Sequence, residues 1–189
     1  PDDVDVVVNN AGIVTGRTLI QASESEIRRT FEVNTLAPYW VTKQFLPGMM
    51  ARDSGAIVTI ASAAGLVGVA RQTDYSASKF AAFGFMESLR NELRHLGSRV
   101  GTLTVAPYYI DTGMFEGVRT KVPLLLPILD PVKVASRVVD AIEKGRVQLI
   151  MPPFAKAVQA IRFLPAPVFD WTVELFGIQD SMDEFKGRG

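Results

Sequence analysis

The segment 56-AIVTIA-61 decides the fold, because it is an apolar run with almost none of the polar alternation of a surface strand. Such a run is typical of a strand that is buried on both faces of a parallel sheet. Residues 4–8, 100–105 and 147–151 are also rich in β-branched and apolar side chains, which favours further strands. We therefore expect these four segments to lie in one sheet.

Helical patterns separate the expected strands. Apolar side chains recur at helical spacing over residues 24–51, and a second helix is expected over residues 74–96. A third begins with Asp130 as its N-cap and Pro131 as its first residue, and it stops at Gly145. Alternating strands and helices are typical of an α/β fold, a doubly wound parallel sheet covered by helices on both faces.

Composition excludes several classes of function. Lys and Arg number 20, as do Asp and Glu, and no run of like charge occurs, so no nucleic-acid partner is indicated. The chain has no cysteine and one histidine, so neither a thiolate nor a histidine-cluster metal site is expected. No apolar run reaches the ~20 residues that a spanning helix needs.

Tyr75 and Lys79 are the first candidates for chemistry. On a helix they project from one face, one turn apart. A phenol titrates near pH ~10, and a nearby cation favours its ionised form, so Lys79 could tune Tyr75 as an acid and base. The alternative is an ordinary amphipathic pair on an exposed helix face. Ser62 lies where the second strand ends, at the edge where open α/β sheets bind ligands, and its loop could return the hydroxyl to Tyr75.

Four motifs stand in a specific order, namely 9-NNAG-12, 31-FEVN-34, 60-IAS-62 and 75-YSASK-79. In their order and spacing they resemble those of the short-chain dehydrogenase/reductase family, over nearly the whole chain. The resemblance implies a Rossmann-like fold and an oxidoreductase that interconverts an alcohol and a carbonyl.

The resemblance also implies catalytic roles. Tyr75 would exchange a proton with the substrate oxygen, and Ser62 would polarise that oxygen. Lys79 would bind the nicotinamide ribose and lower the pKa of Tyr75. Asn34 would hold a water that links Lys79 to solvent. Without the neighbouring motifs, Asn34 reads as a mid-helix side chain that faces water.

A cofactor, NAD or NADP, is implied by the same resemblance. Gly12 would let it approach closely because no Cβ intervenes. A main-chain group at Ile110 and the hydroxyl of Thr112 would fix the nicotinamide. Tyr108 departs from the family, which usually has glycine there, and could form an aromatic wall beside the substrate. The implied cofactor residues are Asn10, Ala11, Gly12, Tyr75, Lys79, Pro107, Ile110 and Thr112.

No glycine-rich phosphate-binding turn precedes the first strand. We therefore expect residues 1–151 to be the C-terminal part of a Rossmann domain, and the choice between NAD and NADP cannot be read. Residues 152–189 are expected to form a helical tail.

The tail and the segment 112-TGMFE-116 resemble the branch that contains retinol dehydrogenases and 17β-hydroxysteroid dehydrogenases. We therefore expect a lipophilic alcohol or ketone as substrate, such as a retinoid or steroid. Residues 122–129, where the family carries its substrate lid, are almost entirely apolar. The lid and tail could lie in a membrane interface, so a cytoplasmic protein that touches the endoplasmic reticulum or a lipid droplet is expected. They could equally cap the core or a dimer.

Two other classes of function remain open on the sequence. One is a catalytically inactive relative retained for binding, and the other is a peripheral membrane module. The intact Ser62, Tyr75 and Lys79 favour the enzyme. Homo-oligomerisation through the two long helices is implied by the resemblance.

Overall fold

The computed structural model describes residues 4–187. In that range the strands form one parallel sheet in the order β1-β2-β3-β4, with Val58 paired to Val8 on one side and to Leu103 on the other. The predicted α/β fold with a parallel sheet is confirmed. The strands are β1 Val6–Asn9, β2 Ala56–Ile60, β3 Gly101–Pro107 and β4 Gln148–Met151.

The helices follow the predicted pattern with one difference. The long helix expected over residues 24–51 is interrupted by a π-helical turn, Glu32–Leu36. Pro38 lacks an N–H, so it cannot donate the α-helical bond to the carbonyl of Asn34, and the turn widens there. The helices are α1 Glu24–Phe31, α2 Ala37–Arg52, α3 Thr73–His95, α4 Pro131–Glu143, α5 Ala157–Ile161 and α6 Ala166–Leu175.

Successive side chains on a strand point to opposite faces of the sheet, and helices cover both faces. Ile57 packs with Met49 of α2 and Met86 of α3. Its neighbour Val58 packs on the other face in a cluster that includes Ala141 of α4. This explains the uninterrupted apolar character of β2.

A third apolar cluster lies at the carboxyl ends of the strands and includes the tail. Val173, Ile178 and Met182 are buried there together with Tyr75 and Ala106. Long-range packing therefore joins the tail to the end of the sheet at which α/β folds bind ligands. Within residues 4–187, no helix has both the length and the apolar character needed to cross a bilayer.

Candidate active site

One cavity of about 370 Å³ lies at the carboxyl ends of the strands. The predicted site residues in its wall come from four separate stretches of sequence, the loop after β1, the end of β2, helix α3 and the loop after β3. Of the predicted site residues, Asn34 alone does not line it. The predicted residues in its wall are Asn10, Ala11, Gly12, Ser62, Tyr75, Lys79, Pro107, Ile110 and Thr112.

Ser62 and Tyr75 meet because a short 3-10 turn, Ala63–Gly65, reverses the chain after β2. The Ser62 hydroxyl accepts a hydrogen bond from the backbone N–H of Ala64 at 3.1 Å, which fixes its position. It also lies close enough to the phenol of Tyr75 to act on the pKa of that group. The two side chains thus present their oxygens side by side, as acid–base chemistry on one substrate oxygen requires.

The pKa of Tyr75 differs from the expectation. The side chain is only 4% exposed, and this burial raises the pKa of Tyr75 to about 12, although the Ser62 hydrogen bond acts in the opposite direction. The expected lowering by Lys79 is therefore wrong for the protein as it stands, because desolvation of the phenolate outweighs the other influences. Tyr75 is fully protonated at neutral pH.

Lys79 is buried one helical turn further along α3. Its Nζ donates to the carbonyl oxygen of Ile60 at 2.9 Å and lies 5.6 Å from the ring centroid of Tyr75. Burial lowers the pKa of Lys79 from 10.5 to about 8, so the ammonium form still predominates at pH 7. An ammonium group has three N–H donors, and one hydrogen bond to protein leaves donors for a ligand hydroxyl.

Asn34 lies behind this pair and is buried, so the interpretation that it faces water is wrong. Its Oδ1 accepts from the backbone N–H of Ile13 at 2.8 Å, and its Nδ2 donates to the carbonyl of Ile13 at 2.9 Å. Nδ2 also donates to the hydroxyl of Ser78 at 3.0 Å. The side chain therefore ties the loop after β1 to α3.

The loop after β1 fits a cofactor at close range. A Cβ added at Gly12 would lie 3.4 Å from Nζ of Lys79 and 3.6 Å from Oδ1 of Asn34. The backbone thus runs directly beside the buried ammonium, with no side chain between them. A ribose held by Lys79 would touch main chain here, which is the arrangement expected for a nicotinamide dinucleotide.

Much of the remaining wall was not foreseen from the sequence. Tyr108 lines the cavity, as expected from its departure from the family pattern, and the rings of Phe115 and Tyr75 form a T-shaped pair with 5.8 Å between centroids. The apolar spacing near residue 158 gave a local signal, but nothing local placed Ile178 in the site. Other apolar side chains of the wall include Val67, Val69, Leu126, Val158 and Ile178.

A family profile described as short chain dehydrogenase matches residues 2–123. The chain therefore belongs to the short-chain dehydrogenase family, as its motifs predicted.

Two curated relatives extend the likeness to the tail. Epidermal retinol dehydrogenase 2 of Mus musculus is 41% identical over 188 residues, which is 98% of this chain and 61% of the relative. Human 17-beta-hydroxysteroid dehydrogenase 13 is 38% identical over 165 residues, 86% of this chain and 54% of the relative. The predicted likeness to this branch is confirmed, and the chain spans 54–61% of the length of these relatives.

A solved structure gives the same fold. The short chain dehydrogenase of Burkholderia cenocepacia J2315, in complex with NADP, superposes with a TM-score of 0.76 at 26% identity. The match covers 93% of this chain and 71% of that one.

Proposed function

We propose that the protein containing this chain is an NAD(P)-dependent oxidoreductase that interconverts an alcohol and a carbonyl. The observation that carries the proposal is the single cavity in which Ser62, Tyr75 and Lys79 meet the loop of Gly12. Four sequence-distant segments converge there on one candidate proton donor. Membership in the short-chain dehydrogenase family and the NADP complex of a structural neighbour support the choice of cofactor.

In the proposed reaction, the bound nicotinamide ring supplies or accepts the hydride. Tyr75 gives its phenolic proton to the substrate oxygen during carbonyl reduction and takes a proton back during alcohol oxidation. Ser62 hydrogen-bonds the same oxygen and polarises it. Lys79 holds the ribose and places a positive charge near the phenolate that forms, and Asn34 holds a water that links Lys79 to solvent and returns the proton.

The substrate we propose is a bulky lipophilic alcohol or ketone, of the retinoid or steroid class. The apolar wall that Val67, Leu126 and Ile178 contribute would bind such a molecule by excluding water. The names of the two relatives, a retinol and a hydroxysteroid dehydrogenase, support the same class. A small polar alcohol would leave this wall without a partner.

We also propose that the protein meets its substrate at a lipid surface. The apolar side chains of the lid and tail are not all used by the core, since Leu124 is 93% exposed and Phe163 is 92% exposed. Trp171 is 62% exposed on α6, and tryptophan is favoured at membrane interfaces. A lipophilic substrate could enter the cavity from such a surface, and its product could return to it.

The experiment is steady-state turnover by the full-length protein and its Tyr75→Phe variant, with retinol, a hydroxysteroid and a small polar alcohol. Loss of the phenolic proton is expected to lower kcat by about 10²- to 10⁴-fold, the usual contribution of positioned acid–base catalysis. A variant that keeps more than about a tenth of wild-type kcat would contradict the role of Tyr75. Binding of dinucleotide without turnover of any alcohol would favour a catalytically inactive relative.

A further inference from the structure

Asp74 is a buried carboxylate that the proposed chemistry does not use. It is 4% exposed and directly precedes Tyr75 in the first turn of α3. The hydroxyl of Thr15 lies 3.1 Å from its Oδ1 and 3.0 Å from its Oδ2, and the hydroxyl of Thr30 donates to Oδ2 at 2.9 Å. None of the ion pairs found among residues 4–187 involves this carboxylate. A buried carboxylate held by hydroxyls alone calls for a reason.

Thr15 lies on the loop after β1, three residues beyond Gly12. The same loop is held a second time, through the backbone of Ile13, by Asn34. Both attachments lead to α3 next to a candidate catalytic residue. Asn34 bonds to Ser78, which precedes Lys79, whereas Thr15 bonds to Asp74, which precedes Tyr75.

We propose that Asp74 is a positioning residue, which holds the cofactor loop at a fixed distance from Tyr75 through the hydroxyl of Thr15. The inference rests on the proposed function and deepens it. It assigns to Thr15 and Asp74 the task of setting the position of the cofactor relative to the proton donor Tyr75. With one attachment beside Lys79 and one beside Tyr75, the loop can neither slide along α3 nor tilt away from it.

A purely structural role would look different. An acidic side chain in the first turn stabilises a helix through its dipole, and the bond from Thr30 joins α1 to α3. Both effects act on the stability of the helices. Thr15 instead belongs to a loop of irregular structure, and its hydroxyl bonds to Asp74 across 59 residues of sequence. Substituting Thr15 therefore tests the positioning of the cofactor loop, whereas substituting Thr30 tests the packing of α1 against α3.

The test compares Thr15→Val and Thr30→Val in the full-length protein, by fluorescence titration with NADH and NADPH and by thermal melting. Thr15→Val is expected to raise the Kd of the preferred dinucleotide about tenfold, because the loop loses one of its two attachments to α3, and to lower Tm less than Thr30→Val does. Thr30→Val is expected to lower Tm and leave Kd within about twofold. Thr15→Ser, which keeps the hydroxyl, should bind the dinucleotide with the Kd of the wild type.

Thr18→Val is the matched control, because Thr18 lies on the same loop and its hydroxyl bonds to Gln21 instead, at 2.9 Å. It should change neither Kd nor Tm. Wild-type affinity in Thr15→Val, or equal effects of the Thr15 and Thr30 variants on both measurements, would overturn the positioning role alone. A wild-type protein that binds neither dinucleotide would overturn the proposed function as well.

Discussion

Lys79 shows how a candidate catalytic residue can work against folding. Its ammonium group is buried, and the pKa falls from 10.5 to about 8 because the charged form has lost water. In the unfolded chain the same group titrates at its ordinary value. Between pH 8 and 10.5 the unfolded state therefore binds more protons than the folded state, and stability rises with pH across that window.

Lys79→Met is accordingly expected to increase the free energy of unfolding at pH 7, by about 1–3 kcal/mol, while abolishing turnover. The gain is limited because the carbonyl of Ile60 loses its donor. Chemical denaturation at pH 7 and near pH 10 measures the free energy of unfolding of both proteins. The difference in this free energy between variant and wild type should be smaller at the higher pH. A variant that is less stable than wild type at pH 7 would show that the ammonium is well satisfied in the folded protein.

For single residues, the sequence identified the candidate catalytic side chains but did not predict how deeply they are buried or what they contact. Tyr75, Ser62 and Lys79 could be named because four motifs, in their order and spacing, resemble those of a known family. Helical spacing alone predicted only that Tyr75 and Lys79 share one face of a helix. The burial that reverses the expected pKa shift of Tyr75 could not be predicted, since it depends on Phe115 and on the tail. Asp74 was missed because nothing local links it to Thr15.

Among the secondary-structure elements, the contact between the 3-10 turn and α3 sets the distance from Ser62 to Tyr75. Gly65 makes that contact possible, because a Cβ there would lie 2.7 Å from the carbonyl oxygen of Lys79 and 2.8 Å from the ring of Phe83. Neither the backbone nor the Phe83 ring, which packs against the core, can move aside easily. The turn and the helix are thus packed at the closest approach that a residue without a side chain allows.

Gly65→Ala is expected to push α3 away from the turn, destabilising the fold by about 1–3 kcal/mol and lowering kcat at least tenfold. Gly84→Ala is the control on the same helix, because a Cβ there meets nothing within 4 Å. That change should stabilise the protein by up to about 1 kcal/mol and leave kcat unchanged. Denaturant titration and steady-state kinetics of both variants measure these effects. Full activity in Gly65→Ala would show that the close contact at Gly65 does not set the distance from Ser62 to Tyr75.

Element types and order followed from hydrophobic periodicity, whereas the widened turn at residues 32–36 did not. Its cause, Pro38, was visible in the sequence. A proline inside a helical pattern can end the helix, kink it or widen one turn, and tertiary contacts such as the bonds of Asn34 to Ile13 decide among these outcomes.

For the whole molecule, the tail has two faces with different uses. Val173, Ile178 and Met182 are buried in the cluster that surrounds the cavity, while Phe163 and Trp171 remain exposed. Deleting the tail would therefore damage the site itself. Only substitutions on the exposed face can test contact with a lipid surface without disturbing the core.

The double variant Phe163→Glu, Trp171→Glu is expected to reduce co-flotation of the full-length protein with liposomes, because charged side chains are disfavoured in the interface. Ile20→Glu is the control, since Ile20 is 98% exposed on the loop before α1. Turnover of a soluble alcohol should be unchanged in both. Equal flotation of wild type and double variant would count against this surface as the lipid contact.

The long reach of the tail has a consequence for synthesis. Gln179 bonds to the backbone of Ala70, 109 residues earlier in the chain, and Ile178 beside it completes the wall of the cavity. At about 5–20 residues per second, a ribosome needs roughly 5–20 s to travel between these two positions. For most of that interval the nascent chain carries Tyr75 and Lys79 but lacks Ile178, so the wall of the cavity can be completed only late in translation.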